Sequence, residues 1–222
     1  MKKIINALVV LLPWFLRRWV LVHCYGYNIA KTAKIGFSYI FPKYLEMQDG
    51  AKIANLNVAV NLDRIQMDCN SSISRGNWIT GFPTGTESRH FANDIDRRSE
   101  LIIGQESAIT KNHHIDCTNS IVIGHHTIIA GYRSQFLTHS INVYENRQES
   151  KPIVIGDFCF ISTSVIFLGG AVLPSCCVIA AGSVYKEREG KEYTLFGGVP
   201  ARVIKGIPCN SKYFTRMKGF VV

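Results

Sequence analysis

The chain has 222 residues, 47% of them hydrophobic, and a net charge of +9. That is enough apolar material for one sizeable core. The charge is uneven: residues 1–52 carry net +6, residues 53–185 net −2 and residues 186–222 net +5. A near-neutral body argues against a nucleic-acid partner, which needs clustered Lys and Arg with interleaved aromatics. Basic ends suit anionic lipid at one end and a phosphate-bearing small molecule at the other.

Seven cysteines (Cys24, Cys69, Cys117, Cys159, Cys176, Cys177, Cys209) show no CxxC spacing, so neither a zinc ribbon nor a redox pair is supported and no metal site is expected. An odd count with no obvious pairing favours a reducing compartment.

Residues 1–28 form an apolar, basic segment. Within it, IINALVVLLPWFLRRWVLV at 4–22 has an apolar run that ends at Leu16, short of the ~20 residues a membrane span needs. Lys2 and Lys3 suggest a secretory signal, but no A-x-A-like cleavage site follows. One or two helices bent at Pro13 are expected. They serve either as a peripheral membrane contact through residues 1–22, with Arg17 and Arg18 facing lipid phosphates, or as a cap over an open β edge.

From residue 29 a six-residue beat sets in. Ile29, Ile35 and Phe41 open it, and it blurs between 43 and 81, where Ile53, Ile65, Ile73 and Ile79 keep a broken version. Coils with bulges or loops are expected there. A polar loop at 80–100 lacks the beat. It returns at Ile103, Ile109, Ile115 and Ile121, with Ser107, His113 and Asn119 two residues before the later members, then slips by two to Ile123 and Ile129. A second break spans 138–152. The cleanest run follows: Ile155, Ile161, Phe167, Leu173, Ile179 and Tyr185, with Cys159, Val165, Ala171, Cys177 and Ser183 two before the last five.

Neither a helical period nor plain alternation makes that pattern. Side chains two apart on a short strand share one face, so each hexad points a large residue and a small one inward and then turns. Three hexads make a coil of about 18 residues, and coils stack at roughly 4.8 Å. The expected class is all-β, a parallel β-helix over 29–207, with an N-terminal helical segment and a short C-terminal helix or tail at 208–222.

Three stretches, in order, carry a family resemblance: Ile123-Gly124-x4-Ile129-Ala130-Gly131 with Thr138-His139, then Lys151-Pro152-Ile153-Val154-Ile155-Gly156-Asp157, then Gly197-Gly198-Val199-Pro200-Ala201-Arg202-Val203-Ile204-Lys205. They resemble the hexapeptide-repeat acyltransferases of the left-handed β-helix class, most of all the maltose and galactoside acetyltransferases and the O-acetyltransferases of bacterial surface polysaccharides. The resemblance covers roughly 101–207 and implies a left-handed coil, a homotrimer and acetyl-CoA as acyl donor.

It also implies roles. His139 matches the catalytic base that takes the proton of a sugar hydroxyl. Thr163 matches a backbone N–H donor to the oxyanion; a Gly or Ser is usual there, but a backbone donor tolerates the change. Asn112 matches an acceptor-side asparagine, and His114 beside it is an acceptor contact, whereas His113 belongs to an inward slot. Ala181, Gly182 and Ser183 match a small-residue turn along the pantetheine arm. Lys186, Arg202 and Lys205 match basic positions near the nucleotide phosphates. The basic, greasy N-terminus points to a sugar or lipid-linked saccharide acceptor and a cytoplasmic location, peripheral to the inner face of the membrane. Two rivals stand beside this reading. One is a γ-type carbonic anhydrase, for which the HxxxxH spacing is missing. The other is a non-catalytic trimeric scaffold.

Overall fold

A computed structural model describes residues 2–219 and 221. Its short strands build three parallel sheets, the faces of a triangular tube, and each strand pairs with the strand one coil further along the chain, three places on except where a hairpin intervenes or ends the sheet. The first face holds seven strands and the third seven; the second holds nine, because a terminal hairpin joins it. The whole clean run, Ile155 to Tyr185 in sixes, points inward and is buried, and so are all five of its small partners. Each of those large side chains contributes about 1.5–3 kcal/mol by leaving water.

The stacking explains where the beat blurs. Coils of 18 residues occur at the ends, where Ile29 lies beside Met47 and Phe167 beside Tyr185. Between them Met47 stacks on Met67 and Ile53 on Ile73, a 20-residue step. These coils are regular, not bulged: four-residue strands such as Tyr44–Met47 point two residues inward, Leu45 and Met47. The slip from Ile121 to Ile123 has the same cause, both being buried on one strand. One expected inward residue is corrected. Ile40, not Phe41, fills the tube, and Phe41 stacks outside with Tyr25 and Tyr39.

The position two before each large residue does more than fit. Along the corner between the second and third faces it forms a ladder of buried acceptors. The Ser38 hydroxyl accepts the Asn57 N–H at 2.9 Å and the Asn57 carboxamide oxygen the Asn77 N–H at 2.8 Å. The Asn77 oxygen then takes the His113 N–H at 2.9 Å, His113 Nδ1 the Ser134 N–H at 3.1 Å, and the Ser134 hydroxyl the Val165 N–H at 3.2 Å. Turning the corner frees an N–H from the sheet ladder, and the side chain of the coil before satisfies it, which removes a desolvation cost of about 1–3 kcal/mol each.

Helices α1 (Lys2–Leu11) and α2 (Trp14–His23) meet at Pro13, as the sequence leads one to expect. Arg17 does not face lipid. It is buried and donates to the carbonyls of Gly36 at 2.7 Å and Ser38 at 2.5 Å, and burial without an anionic partner lowers its pKa to about 10. Arg18 likewise donates to the Ile29 carbonyl at 2.6 Å. Both arginines satisfy acceptors of the first coil, an end where no preceding coil exists to do so.

Both long interruptions leave the tube at the corner between the third and first faces. Residues 82–99 form an irregular loop, and the break after Thr138 is an antiparallel hairpin of His139–Asn142 with Arg147–Ser150. The two are clasped: Asp94 Oδ2 accepts both the N–H and the hydroxyl of Ser150 at 2.8 Å. The tail runs back along the tube through a short 3₁₀ turn, Lys212–Thr215, where the Tyr213 hydroxyl donates to the Cys159 carbonyl at 3.0 Å. All seven cysteines are free, and Cys159 and Cys177 are packed inside.

Candidate active site

The third-face strand His114–Cys117 alternates, with Ile115 and Cys117 inward and His114 and Asp116 outward. Asp116 is nevertheless buried, because the next coil places Leu137 beside it and the hairpin begins two residues later. Its carboxylate is filled with donors. Oδ1 accepts the Thr118 N–H at 3.1 Å and the Thr118 hydroxyl at 2.7 Å; Oδ2 accepts the Thr138 N–H at 3.1 Å and lies 2.6 Å from His139 Nδ1.

Burial pushes the Asp116 carboxyl up, but the hydrogen bonds from His139 and Thr118, with the imidazole's charge, outweigh it and hold the group below its usual range. An ionised Asp116 only accepts, so His139 Nδ1 carries a hydrogen and Nε2 offers its lone pair. The bond to Asp116 raises the His139 pKa, against partial burial, which lowers it. The result is a more basic imidazole in a fixed tautomer. Phe91 completes its seat, meeting the ring edge-on at 5.9 Å and 85°. Arg97 pins that loop by donating to the Thr118 carbonyl at 2.7 Å and lying 5.1 Å over the Phe91 ring.

The imidazole stands outside the tube, its side chain 44% exposed, in a cleft of about 800 Å³ shared with Leu168, Gly169, Lys186 and Arg188. Lys186 therefore lines the same cleft as His139, as do Glu187 and Glu189. Other residues singled out in the sequence are elsewhere. Asn112, Thr163, Ala181 and Gly182 lie at the corner between the second and third faces, at the opposite end of the third-face strands from His139. Thr163 Oγ1 bonds the Tyr132 carbonyl at 2.9 Å. The Ser183 side chain is inside the tube, where its hydroxyl donates to the Ala180 carbonyl at 2.6 Å, so only its backbone borders that corner. His114 faces outward, with Trp78 and Gln135 beside it. Arg202 pairs with Glu187, and Lys205 sits exposed on the terminal hairpin.

The remaining histidines are dispersed. His113 fills its inward slot, and burial lowers its pKa to about 4. His125 and His126 stand at the corner between the first and second faces, and among the described residues no cluster of three metal-ligating side chains forms. Asp116 and Phe91 are the site residues that motif reading misses. A signal for Asp116 exists: stacking Ile115 under Phe136 puts it directly below the residues that lead to His139.

The polysialic acid O-acetyltransferase structure superposes with a TM-score of 0.64 over 86% of this chain and 90% of that one, at 14% identity. The fold is that of a left-handed β-helix. The solved structures it resembles are hexapeptide-repeat acetyltransferases. Another is an acetyltransferase of this kind from Vibrio cholerae O1 biovar eltor, solved with acetyl-coenzyme A, 32% identical over 49% of this chain with a TM-score of 0.46. The match spans 61% of that protein's length. A maltose O-acetyltransferase from Clostridium difficile 630 is 15% identical over 93% of this chain and 84% of that one, with a TM-score of 0.40. No family model and no curated protein sequence matches the chain.

Proposed function

We propose that this protein transfers an acetyl group from acetyl-CoA to a sugar hydroxyl. The observation that carries the reading is the Asp116–His139 pair at 2.6 Å, standing in an open cleft outside the tube. A sugar hydroxyl is a poor nucleophile at neutral pH. Nε2 of His139 takes its proton as the oxygen attacks the thioester carbonyl, Asp116 stabilises the imidazolium, and the tetrahedral intermediate collapses to expel the coenzyme A thiol, which leaves with that proton. General-base help of this sort is worth about 10²–10⁴-fold. The donor lies along the His139 cleft, with Lys186 near its phosphates. Its identity as acetyl-CoA rests on the three motif stretches.

The working unit is a homotrimer. Thr163 and the small turn at 181–182 stand a face away from His139 within one chain, and a neighbouring copy bringing that corner against the hairpin supplies the oxyanion N–H and the far wall of the donor groove. Arg202 and Lys205 join Lys186 at the nucleotide end.

The enzyme works against the inner face of a membrane, on a lipid-linked saccharide of a surface polysaccharide. No helix among the described residues is long and apolar enough to cross a bilayer. Instead Ile4, Ile5, Leu8, Leu11, Phe15, Leu16 and Trp19 are each 44–71% exposed on α1 and α2. A cluster of this size marks an interaction surface, and the first 52 residues, which include it, carry net +6, suited to anionic headgroups even though Arg17 and Arg18 are engaged with the first coil.

Thiol release from acetyl-CoA, followed against a panel of sugars and with mass measurement in solution, tests the reading. Transfer to a hydroxyl by a trimer, lost in His139→Ala with the fold and trimer intact, is the expected result. A His139→Ala trimer that turns over acetyl-CoA at the wild-type rate overturns it.

A further inference from the structure

A second cleft, about 330 Å³, opens between the two excursions and is lined by Arg89, His90, Phe91, Asn93, Arg147 and Gln148 among others. We infer that it is an acceptor subsite for an acidic saccharide, one sugar ring bearing a carboxylate. The inference rests on the acyl-transfer reading above and names its acceptor class.

The chemistry of the lining carries it. Two arginines face the cleft, and no Asp or Glu lines it. Arg89 makes no ion pair among the described residues. Arg147 does: its Nε and one terminal nitrogen reach Glu149 Oε1 at 3.1 and 2.9 Å, and that oxygen also accepts from Asn142 Nδ2 at 2.7 Å. The second terminal nitrogen of Arg147 has no hydrogen-bond partner among the described residues. A guanidinium fork matches a carboxylate in geometry as well as charge, so Arg89 without an ion pair and a half-paired Arg147, lining one cleft, can together clamp a carboxylate. Asn93, Asn146 and Gln148 offer carboxamides suited to ring hydroxyls, and Phe91 with Ile141 gives an apolar floor for the C–H face of a sugar. The volume is at the small end of ligand clefts, roughly 300–1,000 Å³, which suits one ring.

Position ties the cleft to the chemistry. Phe91 is shared: it lines this cleft, and its ring meets the His139 ring at 5.9 Å. Ile141 is two residues from His139 on the same strand and so on the same side. A ring held here therefore lies next to the wall that seats the His139 imidazole. The walls are braced, because Asp94 and Ser150 join the loop to the hairpin.

The test compares methyl glucuronoside with methyl glucoside as acceptors for the full-length protein. The expected kcat/KM is at least about 10-fold higher for the glucuronoside, and Arg89→Gln collapses that ratio toward one through KM. Equal use of the two acceptors, or an unchanged ratio in Arg89→Gln, overturns the subsite. Thiol release from acetyl-CoA with either glycoside reads the donor chemistry separately; its absence with both strikes the acyl-transfer reading instead. In that case saturation-transfer NMR with the same two glycosides decides. Glucuronoside binding that Arg89→Gln abolishes supports the clamp, and equal or absent binding overturns it.

Discussion

Asp116 grips His139 by Nδ1 at 2.6 Å while its other oxygen is occupied by Thr118, so the pair has one free basic atom, Nε2. Replacing Asp116 with Asn keeps the shape and removes the charge. An asparagine also offers an N–H to Nδ1, which favours the wrong tautomer. Asp116→Asn is expected to lower kcat by about 10²-fold or more, close to His139→Ala, with little change in KM for acetyl-CoA. Full activity in a folded Asp116→Asn protein would remove Asp116 from the mechanism.

The same bond sets a pH signature. A base works when neutral, so the acid limb of kcat/KM follows the raised His139 pKa, above the ordinary 6.5. Removing the Asp116 charge in Asp116→Asn shifts that limb to lower pH. For stability the sign is opposite in use: a raised folded pKa adds stability below pH 6.5 that is lost as pH rises through the folded value. Asp116, lowered, adds stability above about pH 3.8 that is lost as pH falls through its folded value. A rate profile whose acid limb does not move in Asp116→Asn contradicts the coupling.

Much of this architecture is legible in the sequence, and the gaps have physical reasons. The beat from Ile155 to Tyr185 is read without error because each coil there has equal sides of six. Coils of 20 residues put two apolar residues on one strand, which makes a regular tube look broken at Leu45–Met47 and Ile121–Ile123. Phe41 is misplaced by one because an aromatic cluster outside the tube competes with its interior for apolar residues. Asp116 escapes since its partner is a coil away, 23 positions on, at no fixed spacing. Arg17 looks like a lipid contact, because nothing local shows that the carbonyls of Gly36 and Ser38 await it.

His113 gives a second pH prediction, with the opposite sign. Buried in the ladder, its Nδ1 accepts the Ser134 N–H and Nε2 lies 3.0 Å from the Thr110 hydroxyl, so the neutral form is the one that fits. With a folded pKa of about 4 against an unfolded 6.5, stability is full above pH 6.5 and falls as pH drops toward 4, by about 3 kcal/mol. Asparagine does the same job at Asn57 and Asn77 without titrating. His113→Asn is expected to keep the fold and flatten denaturant midpoints between pH 6.5 and 4. A midpoint curve as steep as wild type would show that another group governs this loss.

The buried Arg17 predicts a large cost for a surface-looking residue. Truncation leaves the carbonyls of Gly36 and Ser38 unpaired at the open end of the tube. Arg17→Ala is expected to destabilise by about 2–3 kcal/mol, while Lys3→Ala, on the exposed side of α1, changes stability by less than about 0.5 kcal/mol. Equal, small effects from both would mean that the end is held by the helices' apolar packing alone.

The exposed stripe on α1 and α2 makes the last prediction, and it separates two ways of covering it. Full-length protein is expected to co-float with vesicles containing phosphatidylserine and to bind phosphatidylcholine vesicles far less, with the difference shrinking as salt rises. Phe15 and Trp19 project at 71% and 58% exposure, so Phe15→Ser with Trp19→Ser is expected to weaken vesicle binding by more than about 10-fold, since burying each such ring is worth roughly 1.5–3 kcal/mol. Neither side chain belongs to the buried seam against the first coil, where Val9 and Leu21 pack, so the fold survives the change. If wild-type protein ignores both vesicles and the double variant instead loses its oligomeric state in sedimentation, the stripe is a subunit contact and the membrane assignment fails.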